Sequence, residues 1–247
     1  MSQWYEKHGL SEDPFSTDPA DFPDSLTGYE RALEELAYHA EAGGMVFLKG
    51  EPGSGKTAML FRLMGMFPRQ HVVYVDCAKL PADINIIEVA KERGSFLRRL
   101  FNRMPHKAIL LLDNVHNLST RNNERIKNLY DMDVLKSVVF AGDGFTKASF
   151  SKSLRERISS VVVLEPLAGY QAVQLARKRF PQALLTDRAI VALFQAKAGN
   201  IREFLKGCGA VCAYATSRGL PSADEYLVRD ILGTGAQPLP PLPMKVS

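Results

Sequence analysis

Apolar strand-like runs that alternate with helical patterns, a glycine-rich turn at a strand-to-helix junction, and the loss of the strand signal after Pro166 together predict an α/β fold. Its core is a three-layer sandwich, a parallel sheet covered by helices on both faces, followed by a small all-helical domain. The first run, MVFLKG from Met45, enters the turn and leaves it as TAMLFRLMGMF, where apolar residues recur at helical spacing. Further runs follow at His71–Asp76 (HVVYVD), Ala108–Asp113 (AILLLD), Val138–Ala141 and Val161–Leu164. They read as buried strands because they are continuously apolar rather than alternating. The stretches Ile84–Arg103 and Asn122–Tyr130 place apolar residues at i, i+3 and i+4 and predict covering helices. After Pro166 four helical patterns remain, Gly169–Phe180, Thr186–Ala198, Ile201–Ser217 and Ala223–Leu232.

The organisation predicted is a linker and first helix over 1–44, a core over 45–167, a helical domain over 168–233, and a tail over 234–247. The tail, GAQPLPPLPMKVS after Thr234, favours an extended polyproline conformation. Such a segment can dock in the aromatic groove of a protein partner with little ordering cost, and a spare flexible terminus is the alternative.

The 247 residues are 46% hydrophobic and 23% charged, an ordinary globular composition. A domain of this length buries roughly 70–75% of its unfolded surface, enough to fold without disulfide or metal staples. Three cysteines, Cys77, Cys208 and Cys212, contain no CxxC pair, which argues against a disulfide framework or a zinc site. No apolar run approaches the roughly 20 residues of a membrane span, and the start MSQWYEKHGL lacks the pattern of a secretory signal, so a cytoplasmic location is expected. The net charge of +4 is uneven. Ten acidic residues fall within 1–48 against only Lys7 and Arg31, leaving a distinctly basic remainder that suits a polyanionic partner.

Residues 50–57, GEPGSGKT, fit the phosphate-binding pattern GxxxxGKS/T, between a predicted strand and a predicted helix as that motif requires. The core is therefore expected to be a P-loop nucleoside triphosphatase. Glu51, Pro52, Gly53, Ser54, Gly55, Lys56, Thr57 and Ala58 are its candidate nucleotide-binding residues. Gly53 and Gly55 let backbone N–H groups converge on phosphate oxygens, Lys56 pairs with the β- and γ-phosphates, and Thr57 offers its hydroxyl to Mg²⁺. Asp113, at the end of an apolar strand, is the expected second magnesium residue, so ATP and Mg²⁺ are the expected ligands.

With these motifs the chain resembles the AAA+ ATPases, and within them the initiator-like clade of origin-recognition initiators, ExeA-type secretion ATPases and MuB/TniB-type transposition regulators. HGLSEDPFSTDP resembles the opening of ExeA-like members, and LTGYERALEELAYHAEAGG the helix before their phosphate loop. The resemblance makes Phe15, Gly28 and Tyr29 candidates for the base pocket, with Phe15 alternatively a core aromatic. VVFAGDGFTKASFSKSLRERISSVVVLEPL is similar to the sensor 1 strand and arginine-finger helix. It puts Asp143 in the sensor 1 place, where the family prefers an uncharged polar group. It also makes Arg157, with Arg155 as the alternative, the finger that enters a neighbouring subunit's site in a homo-oligomer. AGNIREFL resembles the lid signature and makes Arg202 the sensor 2 arginine.

The family usually follows its magnesium aspartate with a glutamate, but here Asn114 follows Asp113. An amide can hold a water and cannot act as a general base. ATP hydrolysis is therefore expected to be slow, with Glu51 and His116 as the candidate substitutes for the missing base. The basic stretch Lys91–Lys107, KERGSFLRRLFNRMPHK, together with Arg121, Arg125 and Lys127, is a candidate track for duplex DNA. Nothing after Leu232 is long enough for the winged-helix domain of origin initiators, so site-specific origin recognition is not expected. The function expected is an ATP-dependent, DNA-associated switch. The alternatives are an ExeA-like ATPase acting on a protein assembly and a scaffold that nucleotide merely stabilises.

Overall fold

The computed structural model describes residues 3–80, Asn85, Glu88 and 107–232. They form two compact units, one spanning residues 29–165 and one joining residues 3–28 to 166–232. In the first unit, β1 (Met45–Lys49), β2 (Val72–Asp76), β3 (Ala108–Asp113), β4 (Leu135–Gly142) and β5 (Ile158–Val163) form a five-stranded sheet in the order β2-β3-β4-β1-β5. Every neighbouring pair is parallel. Its accompanying helices among the described residues are α1 (Glu30–Ala42), α2 (Lys56–Gly65), α3 (Thr120–Asp131) and α4 (Lys152–Arg157).

Burial follows position in the sheet. All six residues of β3, AILLLD, are buried, as a central strand covered on both faces requires. β5 stands at the end of the strand order, and its Val161 and Val163 are exposed while Val162 is buried. Phe47 of β1 and Phe140 of β4 are fully buried, and Phe150 packs edge-on against both.

Two strands begin earlier than their apolar runs suggest. β4 starts at Leu135 and includes Ser137, which is fully buried and donates its hydroxyl to the Gly44 carbonyl at 2.7 Å. β5 starts at Ile158 and includes Ser159, whose hydroxyl donates to the Met45 carbonyl at 3.0 Å. Each serine meets its own hydrogen-bonding need within the sheet, so a polar residue occupies a strand position without penalty. The helix expected over 84–103 and the tail over 234–247 lie outside the described residues, apart from Asn85 and Glu88.

The second unit contains α5 (Gly169–Arg179), α6 (Asp187–Ala196), α7 (Ile201–Ser217) and α8 (Glu225–Leu232). Thr186 caps α6 by accepting from the Ala189 N–H, and Asn200 caps α7 by accepting from the Glu203 N–H. The N-terminal segment belongs to this unit. The Trp4 ring stacks on Phe15 and meets Phe180 edge-on, with centroids 6.1 and 5.7 Å apart. Cys208 and Cys212 lie one turn apart on α7, buried, and burial pushes both thiols well up, Cys212 to about 12. Neither has the thiolate character of a reactive cysteine. Among the described residues no helix is long and apolar enough to cross a membrane.

Arg179 ties the N-terminal segment to α5. Its Nε donates to Ser25 Oγ at 2.8 Å, one terminal nitrogen donates to the Ser16 carbonyl at 2.8 Å, and the guanidinium lies 5.0 Å from the Phe22 ring centre. Burial lowers its pKa to about 10, so it stays charged at neutral pH. Hydrogen bonds to charged groups contribute about 1.5–3 kcal/mol each. Arg179→Ala is therefore expected to cost about 2 kcal/mol locally and to speed limited proteolysis within residues 16–25 by roughly thirty-fold. Arg179→Lys should recover little of this, because an ammonium cannot present the planar fork. Unchanged cleavage in the alanine variant would show that the aromatic contacts hold the segment alone.

Candidate nucleotide site

In a parallel sheet all strands end on the same edge, and the candidate site is built there. The chain leaves β1 at Lys49, turns through residues 50–55 and enters α2 at Lys56. Gly53 and Gly55 take φ of +80° and +97°, left-handed conformations that a side chain strains. A Cβ on Gly50 would stand 2.5 Å from Ser54 Oγ. The first N–H groups of α2 lack intrahelical partners by construction and add the positive end of the helix dipole to the loop.

The Lys56 side chain is 8% exposed and folds back over this loop. Its ammonium donates to the carbonyls of Gly50 (2.7 Å) and Glu51 (3.1 Å) and to Asp143 Oδ1 (2.8 Å), just beyond β4. Ser54 Oγ is buried and has no hydrogen-bond partner among the described residues. A buried hydroxyl left unpaired costs about 1–3 kcal/mol, and a phosphate group in the cradle would relieve it.

Asp113, at the end of β3, is 1% exposed. Its Oδ2 accepts from the Thr57 hydroxyl at 2.6 Å and from the Tyr74 phenol at 3.2 Å, and its Oδ1 accepts from the Asn114 N–H at 2.9 Å. Burial, then the charges of Asp113 and Asp76, raise the Tyr74 pKa far above its ordinary value, so Tyr74 is a permanent donor here. A hydroxyl and a carboxylate in contact are hard oxygen ligands. They suit a magnesium ion, which keeps most of its water and needs few protein groups.

Asn114 takes a left-handed backbone conformation (φ 54°, ψ 45°) and sends its side-chain amide nitrogen to Asp76 Oδ1, 2.9 Å away. Asp76 ends β2, and strand pairing sets it beside Asp113. Sequence reasoning passed over Asp76 and Tyr74. The signal for Asp76 was present, because HVVYVD ends in an aspartate just as AILLLD does.

The structure thus brings Lys56, Thr57, Asp113, Asn114 and Asp143 together. Glu51 is exposed and its carbonyl accepts from Lys56. His116 is exposed, with Nε2 3.1 Å from the Asn117 side-chain nitrogen. Arg157 lies elsewhere, immediately before β5 and therefore at the edge where strands start. It is 53% exposed and its Nε pairs with Asp131 at 3.1 Å, beside a groove lined by Lys107, Tyr130 and Lys136. Arg155 packs its guanidinium 5.8 Å from the Phe145 ring centre.

Tyr29 is buried in the sheet unit, and burial followed by the Glu165 charge pushes its phenol up to about 12. Phe15, Gly28 and Arg202 belong to the other unit. Phe15 is 3% exposed within the Trp4 and Phe180 cluster. Gly28 has φ +85°, and a Cβ there would meet Gln171 Nε2 at 2.5 Å. Arg202 is exposed in the first turn of α7. The basic residues 91–106 lie outside the described set. On α3, Arg121 is exposed, Arg125 donates to Asn122, and Lys127 pairs with Asp131 at 3.0 Å.

Residues 39–147 match a family described as an AAA domain. No curated protein matches the chain in sequence. In structure it is similar to the RuvB Holliday junction branch migration motor of Thermotoga maritima. The two share 16% identity over 85% of this chain and 68% of that one, with a TM-score of 0.63. Two single-residue variants of the same protein superpose similarly. One has 15% identity over 85% and 68% of the chains and a TM-score of 0.64; the other has 17% over 90% and 73% and a TM-score of 0.63. With its glycine loop, parallel sheet and helical C-terminal region, the chain has the P-loop AAA+ fold.

Proposed function

We propose that this chain is an ATP-hydrolysing switch of the initiator-like type that works on duplex DNA and turns over slowly unless stimulated. The observation that carries the reading is the ending of β1, β3 and β4 around one loop. There Lys56 is poised over the glycine turn, and Thr57 already touches Asp113. On ATP binding, Lys56 exchanges its contact with Asp143 for β- and γ-phosphate oxygens, the α2 N–H groups hold the phosphates, and Ser54 gains a partner. Thr57 and Asp113 hold magnesium, which when bound neutralises charge across the phosphates. Tyr29, in the sheet unit with the loop, serves the base.

Asn114 explains the slow turnover, since it offers a water a hydrogen bond without taking its proton. Arg157 completes a neighbouring copy's site in a homo-oligomer. It is exposed, permanently charged, and located at the opposite sheet edge from its own loop. The basic residues 91–107 with Arg121 and Arg125 follow the DNA backbone. The similarity of fold to a branch migration motor and the basic remainder of the chain support DNA as the polyanion.

The test is steady-state ATP turnover with and without duplex DNA, with Lys56→Ala as the blank. Stimulation of several-fold is expected, weakening as salt rises and lost in Arg98→Ala/Arg99→Ala/Arg103→Ala. Turnover indifferent to DNA at low salt would move the reading to a protein-directed ATPase.

A further inference from the structure

We infer that Asp131 is a positioning residue: it anchors Arg157 through Nε and so aims the terminal nitrogens of the guanidinium at phosphates held by a neighbouring copy. The inference rests on the reading above, in which Arg157 completes a neighbour's site, and deepens it.

The two residues close successive helices, Asp131 as the last residue of α3 and Arg157 as the last of α4. Packing fixes both ends. Tyr130, beside Asp131, donates its hydroxyl to the Gly43 carbonyl at 2.6 Å, and the Met132 N–H closes α3 on the Asn128 carbonyl at 2.9 Å. On α4, Ser151 accepts from the Leu154 N–H at 3.1 Å, and the Leu154 side chain is fully buried. Ile158, next after Arg157, already pairs with Met45 of β1. A side chain carried on such rigid elements is aimed more precisely than one on a loop.

Asp131 has one carboxylate oxygen for each of two cations. Oδ2 lies 3.0 Å from Lys127 Nζ, one turn earlier on α3, and Oδ1 lies 3.1 Å from Arg157 Nε. The Lys127 hydrogen bond, with the Arg157 charge, outweighs desolvation and holds the Asp131 carboxyl below its ordinary value, so the anchor is ionised at neutral pH. An exposed ion pair adds little to stability, so the consequence of this one is direction rather than strength. The guanidinium is planar, and a contact through Nε restricts where its terminal N–H groups point. Among the described residues those terminal nitrogens have no hydrogen-bond partner.

Arg157 lines its groove with Lys107 and Lys136. Lys107 is balanced by Asp133 at 3.2 Å, whereas Lys136 has no ion-pair partner among the described residues. An open guanidinium fork beside an unbalanced ammonium suits a phosphate group, whose oxygens the fork takes in pairs. That phosphate belongs to another copy. Arg157 precedes β5 at the edge where strands start, while the glycine loop follows β1 at the edge where they end, so the groove of one chain meets the loop of the next in a head-to-tail contact.

The experiment mixes two full-length variants that are each inactive alone. Lys56→Ala donates Arg157 but has no working loop, and Arg157→Ala keeps the loop but donates nothing. Mixing them is expected to restore ATP turnover. Asp131→Asn added to the Lys56→Ala donor should then lower the restored kcat about tenfold at an unchanged half-saturating ATP concentration, because the fork loses its aim. The same change added to the Arg157→Ala recipient should leave the restored turnover as it was, which a general cost to the fold would not. By NMR, the Arg157 Nε–H proton should exchange several-fold faster once Asp131 is Asn. Restored turnover that the donor change leaves unaltered, or that falls equally from either side, overturns the role of Asp131 alone. A rise would make Asp131 a restraint that Arg157 must leave, and overturns the anchor equally. Failure of the two variants to restore turnover overturns the trans role of Arg157 and this inference with it.

Discussion

Asn114→Glu is expected to raise ATP turnover by about two orders of magnitude. A positioned general base contributes roughly 10²–10⁴ in rate, and Asn114 stands immediately after Asp113, where a carboxylate reaches the same water. The gain should fall at the lower end of that range. Asp76, now 2.9 Å from the amide nitrogen, would face a second carboxylate and repel it from the place the amide holds. ATP affinity should hardly move, since Lys56, Thr57 and Asp113 are untouched. Single-turnover hydrolysis, corrected with the Lys56→Ala blank, measures this directly. A variant that binds ATP and gains nothing would show that the slow step is completion of the site between subunits, through Arg157, rather than activation of water.

The two partners of the Lys56–Asp143 ion pair should respond in opposite directions. Lys56→Ala removes a cation that now makes three hydrogen bonds, each of which would otherwise serve phosphate. Losing charge-assisted bonds at about 1.5–3 kcal/mol each should weaken ATP binding by at least about 100-fold. Asp143→Asn removes an anion that occupies Lys56 before ligand arrives and repels the γ-phosphate afterwards, so affinity should rise about tenfold. An Asn amide can still accept from Lys56 and keeps the loop in place. Equilibrium titration with a fluorescent ATP analogue distinguishes the two signs. Weaker binding in Asp143→Asn would assign Asp143 to orienting Lys56 for phosphate instead of competing for it.

The glycine loop and the central strands were legible because their signals are local. A continuous apolar run such as AILLLD and a fixed spacing such as GEPGSGKT require no partner elsewhere in the chain. The pairs that define the chemistry are not local. Asp76 meets Asn114 across 38 positions, and Lys56 meets Asp143 across 87. Both meetings depend on strand order, which places β3 beside β2 and β4 beside β1. The early starts of β4 and β5 were hidden by Ser137 and Ser159, whose hydroxyls find carbonyls that appear only once the neighbouring chain is in place. Phe15 carried two readings in sequence because an isolated aromatic is equally at home beside a base or in a core. Its position against Trp4 and Phe180 comes from a packing partner 165 residues away.

The joining of residues 3–28 to 166–232 sets an order of events during synthesis. Trp4 and Phe15 leave the ribosome early, yet Phe180, which completes their cluster, follows only after the whole sheet unit. At roughly 5–20 residues per second, these aromatics wait on the order of ten seconds or more without their final cover. The nascent chain therefore carries an adhesive aromatic segment ahead of the sheet throughout its assembly, and chaperone capture of this segment should end when α5 emerges. The many acidic residues among the first 48 suit that interval, because like charge keeps neighbouring nascent chains apart.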